Sequence, residues 1–166
     1  GPAISLSKLI VDKLNIIGLI PIKGSPTQFE GKNLLVESIE YLKKCNLISD
    51  IYVSTDNLET AKIAKNNGGL APFIRPIELS SEDVGLPDVL KYSIEEIEKI
   101  RKVDLVFIVE ENYPFRPKEL PNKLINSIIE GGYDTVCASI IEERSIWLDT
   151  QETISSIGDN LMRSRR

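Results

Sequence analysis

Ile16-Ile17-Gly18-Leu19-Ile20, ended by Pro21, is a short continuous apolar run. A run of that length, uninterrupted by polar residues, fits a strand buried on both faces. A polar loop follows, and then Leu35, Ile39 and Leu42 fall at helical spacing, with Glu37, Glu40, Lys43 and Lys44 on the other face. The alternation repeats down the chain. Ile51-Tyr52-Val53 predicts the next strand, closed by Ser54-Thr55-Asp56, and Leu58 to Asn67 a helix stopped at Gly68-Gly69. Pro72-Phe73-Ile74-Arg75-Pro76 predicts an extended segment, because its prolines disfavour helix. Pro87 suits a first helical turn, and Leu90, Ile94, Ile97 and Ile100 form one apolar stripe behind it. Val103 to Val109 is the clearest buried strand, Lys118 to Glu130 a helix stopped at Gly131-Gly132, and Tyr133 to Ile141 a further strand. Strands joined by helices imply right-handed crossovers and a mainly parallel sheet covered on both faces, a three-layer α/β/α fold. Ligands of such sheets bind beyond the carboxyl ends of the strands, which directs attention to the loops after Ile20, Val53 and Val109.

At 166 residues, with 42% hydrophobic and 27% charged, the chain fits one globular domain, 1–166. Gly1-Pro2 lacks an initiator Met and reads as a scar of tag removal; helix-like residues Ala3 to Lys13 suggest a domain excised or truncated from a longer chain. A net charge of −5 argues against a nucleic-acid partner, which calls for clustered Lys and Arg. Arg163, Arg165 and Arg166 form one basic cluster, either a solvated tail or a functional one. The apolar run Leu14 to Ile22, broken by Asn15 and Pro21, is too short for a membrane span, and no secretory signal opens the chain. Cys45 and Cys137, far apart in sequence, point to buried thiols in a reducing cytoplasm. The chain has no histidine, so His-based nucleophile systems and the common zinc sites are excluded. Carboxylates, Lys, Arg and backbone amides remain, and phosphoryl or nucleotidyl transfer needs little else.

The loop from Pro21 to Asn33 lies between a buried strand and a helix, where backbone amides can meet an anion. Lys23 and Lys32 bracket it. They either neutralise a triphosphate or are solvated lysines of a plain surface loop; the spacing is not a Walker A motif. Asp56 ends a strand at the ligand edge and either contacts ribose or metal or caps the next helix. Glu110 and Glu111 leave the central strand together, as candidate ligands for a hard divalent ion or as solvated carboxylates. Arg75 and Arg116, stiffened by flanking prolines, suit a carboxylate or phosphate, although Arg75 has Glu78 as an alternative partner. Trp147 reads as packing rather than base stacking.

Ile20-Pro21-Ile22-Lys23-Gly24-Ser25 followed by Lys32-Asn33 resembles the nucleotide-binding loop of the cytidylyltransferases that make CMP-acylneuraminate and related CMP-activated acidic sugars. Val53-Ser54-Thr55-Asp56 resembles their second-strand motif, Arg75-Pro76-Ile77-Glu78-Leu79 their Arg-Pro-x-Glu-Leu segment, and Pro114-Phe115-Arg116-Pro117 their Pro-Leu-Arg turn. All four occur in the family's order. The resemblance implies a Rossmann-like sheet of the nucleotide-diphospho-sugar transferase type, Mg²⁺ as cofactor, and a homodimer. It further implies attack of a sugar acid on the α-phosphate of CTP, with release of pyrophosphate. Lys23 and Lys32 would then be the catalytic cations. Gly24, Ser25, Asn33, Thr55 and Asp56 would join them around the nucleotide, Arg75 and Arg116 would serve the substrate, and Glu110 and Glu111 the metal. Three departures stand beside these matches. Pro26 with Thr27 or Gln28 replaces the family's Ser and second cation; Glu110-Glu111-Asn112-Tyr113-Pro114 replaces Gln-Pro-Thr-Ser-Pro; and Leu86-Pro87 replaces a Ser-rich helix start. They keep open a catalytically impaired relative acting as an interaction or regulatory domain, and a nucleotidyltransferase with another nucleotide or sugar.

Overall fold

Four parallel strands form the main sheet of the computed structural model, which describes residues 14–111, 120–130 and 136–140. In chain order the elements are β1 (Ile16–Ile22), a hairpin of β2 (Gln28–Phe29) and β3 (Lys32–Asn33), α1 (Leu34–Lys43), β4 (Asp50–Thr55) and α2 (Leu58–Asn66). A 3-10 turn (Ile77–Ser80), α3 (Leu86–Glu98), β5 (Leu105–Val109), α4 (Leu120–Glu130) and β6 (Val136–Ile140) complete the order. The sheet runs β4-β1-β5-β6, and all three pairings are parallel. The expected α/β architecture is the one found. Expectations that rest on Ala3 to Lys13, Gly131-Gly132, Arg116, Trp147 or the basic tail lie outside the described residues.

Strand pleating sorts the core into two layers. Ile16, Ile20, Leu105 and Phe107 face Leu35, Ile39, Ala64 and Ile125 of α1, α2 and α4. Ile17, Leu19, Val106 and Ile108 face Leu90, Ile94 and Ile97 of α3. The strands carry no polar alternation because helices cover both faces. Gly18 lets α1 approach: a Cβ there would stand 2.9 Å from Leu42 Cδ1.

Several boundaries moved. β4 runs on through Ser54 and Thr55, and β5 begins at Leu105 rather than Val103. Ile100, expected on the apolar stripe of α3, lies past its end and is 58% exposed. β1 continues through Pro21 to Ile22, paired with Ser54 and Thr55. Its pairing with β5 ends at Leu19, so Pro21 sits where the strand has a neighbour on one side only, the situation in which a strand tolerates proline. The segment 21–33, read as a loop, contains a hairpin whose turn residues Glu30 and Gly31 have φ of 50° and 76°. Two successive positive φ values mark the turn type that matches strand twist.

Gly68 closes α2 at φ 92°, beside the Lys43 side chain. Gly68→Ala is expected to lower unfolding free energy by about 1 kcal/mol, from the left-handed backbone alone. Urea unfolding of the two proteins checks it. No helix among the described residues is long and apolar enough to cross a membrane.

Candidate functional site

A cleft of about 340 Å³ lies at the carboxyl ends of β1 and β5, and Arg75, bonded to the end of β4, is part of its lining. Pro21, Ile22 and Lys23 form one side, and Glu110, just past β5, lies across from the start of α3. The wall between is made by Leu79 and Ser80, the end of the 3-10 turn, and by Ser81, Glu82 and Val84 after it. Lys23, Arg75, Glu82 and Glu110 are the charged residues of the lining.

Arg75 is the most constrained of them, at 4% exposure. Its backbone N–H donates to Thr55 O at 2.8 Å, which fixes the extended segment against the end of β4. Nη1 donates to Ser54 O and to Ser54 Oγ. Ser93 Oγ–H donates to Val89 O, so the Ser54 hydroxyl supplies the proton of the 2.6 Å contact with Ser93 and keeps a lone pair for Arg75. Arg75 is thus tied through β4 to α3. Its Nε is buried and has no hydrogen-bond partner. Burial pulls its pKa down and the nearby Asp56 carboxylate pushes back. The guanidinium turns to Ser54 rather than to Glu78.

Asp56 organises the entrance of the loop. Oδ1 accepts the Gly24 N–H at 2.8 Å and Oδ2 accepts the Ser80 hydroxyl. Thr60 donates to Gly24 O at 2.7 Å, so both polar backbone atoms of Gly24 are held. Gly24 has φ 66°, the left-handed conformation that favours glycine. Burial raises the Asp56 pKa, but the Ser80 and Gly24 hydrogen bonds and Arg75 outweigh it, leaving the carboxyl below its usual range. The helix cap proposed for Asp56 belongs to its neighbour: Asn57 Oδ1 accepts the Thr60 N–H.

The other sequence-derived candidates divide between the cleft and the scaffold. Thr55 is fully buried, its hydroxyl accepting the Asn57 N–H. Asn33 caps α1, accepting from Leu35 N and Val36 N. Ser25 and Lys32 are exposed and outside the cleft lining, so the structure does not bring Lys23 and Lys32 together around this cleft. Glu111 is buried and binds Thr27. Glu110 lines the cleft, and burial raises its pKa. Among the described residues no three His, Cys, Asp or Glu side chains gather as a metal site. The roles of Ser80 and Thr60, and the contact of Thr27 with Glu111, were not anticipated. Thr27 and Glu111 lie 84 positions apart, and no local pattern joins them.

No family model matches the chain. The CMP-N,N'-diacetyllegionaminic acid synthase of Legionella pneumophila is 23% identical over 146 residues, covering 81% of this chain and 62% of that protein. A solved CMP:2-keto-3-deoxy-manno-octonic acid synthetase complexed with CTP matches at a TM-score of 0.57 and 15% identity, over 70% of this chain and 48% of that one. The relationship is cytidylyltransferase-like. The chain spans less than two thirds of the length of either relative. The structural match establishes a fold of the nucleotide-sugar transferase type, as the motifs implied.

Proposed function

We propose that this chain is the nucleotide-binding part of a cytidylyltransferase: its cleft seats a cytidine nucleotide, with CTP as donor of CMP to an acidic sugar and pyrophosphate as the leaving group. The observation that carries the reading is Arg75, buried in the cleft wall beside Lys23 with its Nε–H unsatisfied. An orphaned buried donor is costly, and a ligand acceptor relieves it once the guanidinium turns towards the cleft, since Nε has almost no accessible surface in the free chain. The cleft lies at the strand ends where sheets of this class bind ligands. Mg²⁺ that arrives with a nucleotide takes one or two protein carboxylates beside phosphate oxygens. Glu110 in the cleft fits that requirement; Glu111, engaged with Thr27, does not. The ion would neutralise phosphate charge.

Thermal unfolding with Mg²⁺ and a panel of nucleotides tests the reading, because a ligand of the native state raises the melting temperature. CTP and CMP are expected to stabilise the protein more than ATP, GTP or UTP. Equal or absent shifts across the panel refute cytidine recognition.

The Thr27–Glu111 contact favours a second reading, a relative that binds nucleotide but is catalytically impaired. Pyrophosphate release with CTP and a panel of nonulosonic and octulosonic acids would dismiss it.

A further inference from the structure

Thr27 aims two donors at one carboxylate. Its backbone N–H lies 3.2 and 3.1 Å from the two Glu111 oxygens, and its hydroxyl donates to Oε1 at 2.8 Å. A loop amide and hydroxyl converging on one anionic group is also the arrangement that holds a phosphate. Here the anion is the chain's own side chain, 9% exposed. The next loop bond reinforces the fixed geometry, with Leu34 N–H donating to Thr27 O at 2.9 Å.

Two sequence departures meet at this contact. Thr27 stands in the part of the loop where resembling proteins carry a second cation, and Glu111 follows Glu110 at the tip of β5. A positive charge is missing and a negative one is added. Thr27 and Glu111 lie outside the cleft lining but shortly after it along the chain, so their contact joins the segments that leave the carboxyl ends of the paired strands β1 and β5. The Gly24 N–H, a further loop donor, is already given to Asp56. Phosphates extending from the cleft towards this loop meet a fixed carboxylate and donors already engaged.

We infer that Glu111 is a built-in competitor for the phosphate tail of a nucleotide, latching Thr27 so that the cleft holds a nucleoside monophosphate as well as a triphosphate. The inference rests on the cytidine reading above and concerns the tail alone, so the two fail separately. Isothermal titration of CMP, CTP and inorganic tripolyphosphate into the full chain, Glu111→Ala and Glu111→Gln tests it. The unaltered chain is expected to bind CMP and CTP with comparable affinity. Both variants are expected to shift preference towards CTP by about tenfold, the scale of one charge-assisted hydrogen bond. Tripolyphosphate is expected to compete with CTP in the variants only. Should Glu111→Ala fail to fold, Glu111→Gln keeps an acceptor for Thr27 while removing the charge. A strong CTP preference in the unaltered chain, or an unchanged ratio in the folded variants, overturns the latch and leaves the cytidine cleft standing. Binding of neither nucleotide to any form overturns both.

Discussion

Arg75→Ala is expected to weaken cytidine-nucleotide binding by about a hundredfold, the loss typical when one partner of a buried charged contact is removed. Ser54 holds the guanidinium through Nη1, and Nε is a buried donor without a protein partner. Truncation removes that donor and leaves Ser54 O without its side-chain partner, so stability falls as well, by about 1–3 kcal/mol. Arg75→Lys separates charge from geometry. An ammonium cannot meet Ser54 and a ligand through a planar fork, so lysine is expected to restore little of the binding. Calorimetric titration of CMP, with urea unfolding of the same preparations, measures the two effects independently. Binding unaffected in a folded Arg75→Ala protein would remove Arg75 from the site.

Asp56→Ala is expected to destabilise the fold by about 2 kcal/mol, because it orphans the Gly24 N–H and the Ser80 hydroxyl together. It also removes the carboxylate whose charge supports that of Arg75. The loop entrance and the cleft wall loosen at once, since Gly24 belongs to one and Ser80 to the other. The folded pKa of Asp56 lies below its ordinary value, so the folded chain holds this proton less tightly than the unfolded chain. Its stabilising contribution is therefore complete above the ordinary carboxylate range, about pH 4, and fades as pH falls through the lower folded value. Asp56→Asn removes this titration. The stability gap between Asp56→Asn and the unaltered chain is expected to narrow between neutral pH and about pH 3. Urea unfolding across that range checks it; a gap that widens on acidification contradicts the assignment.

The sheet was legible because its signal is local and redundant. Leu105 to Val109 is buried throughout, and the α3 stripe of Leu90, Ile94 and Ile97 recurs at helical spacing. The site was harder to read because polar residues at strand ends have several employers. Asn33 was assigned to a nucleotide, yet it precedes an amphipathic helix and caps it, a role its position already permitted. The cap expected of Asp56 sits one residue later, on Asn57, which frees Asp56 to hold two other segments. The hairpin escaped notice because Glu30 is an unusual choice for a positive φ, where Asn or Asp before Gly would have announced the turn. Tertiary pairs such as Thr27 with Glu111 leave no periodic trace. Their meeting depends on where the crossover returns the chain, not on the residues beside them.

On the proposed function, the cleft beside Arg75 receives a cytidine nucleotide. Titration of CMP into ¹⁵N-labelled protein, following the Arg75 Nε–H resonance and the amides from Leu79 to Val84, tests it most directly. The Nε–H signal is expected to shift strongly and saturate with those amides, while AMP at the same concentrations leaves them in place. A stationary Nε–H resonance under saturating CMP, or equal shifts with AMP, would contradict it.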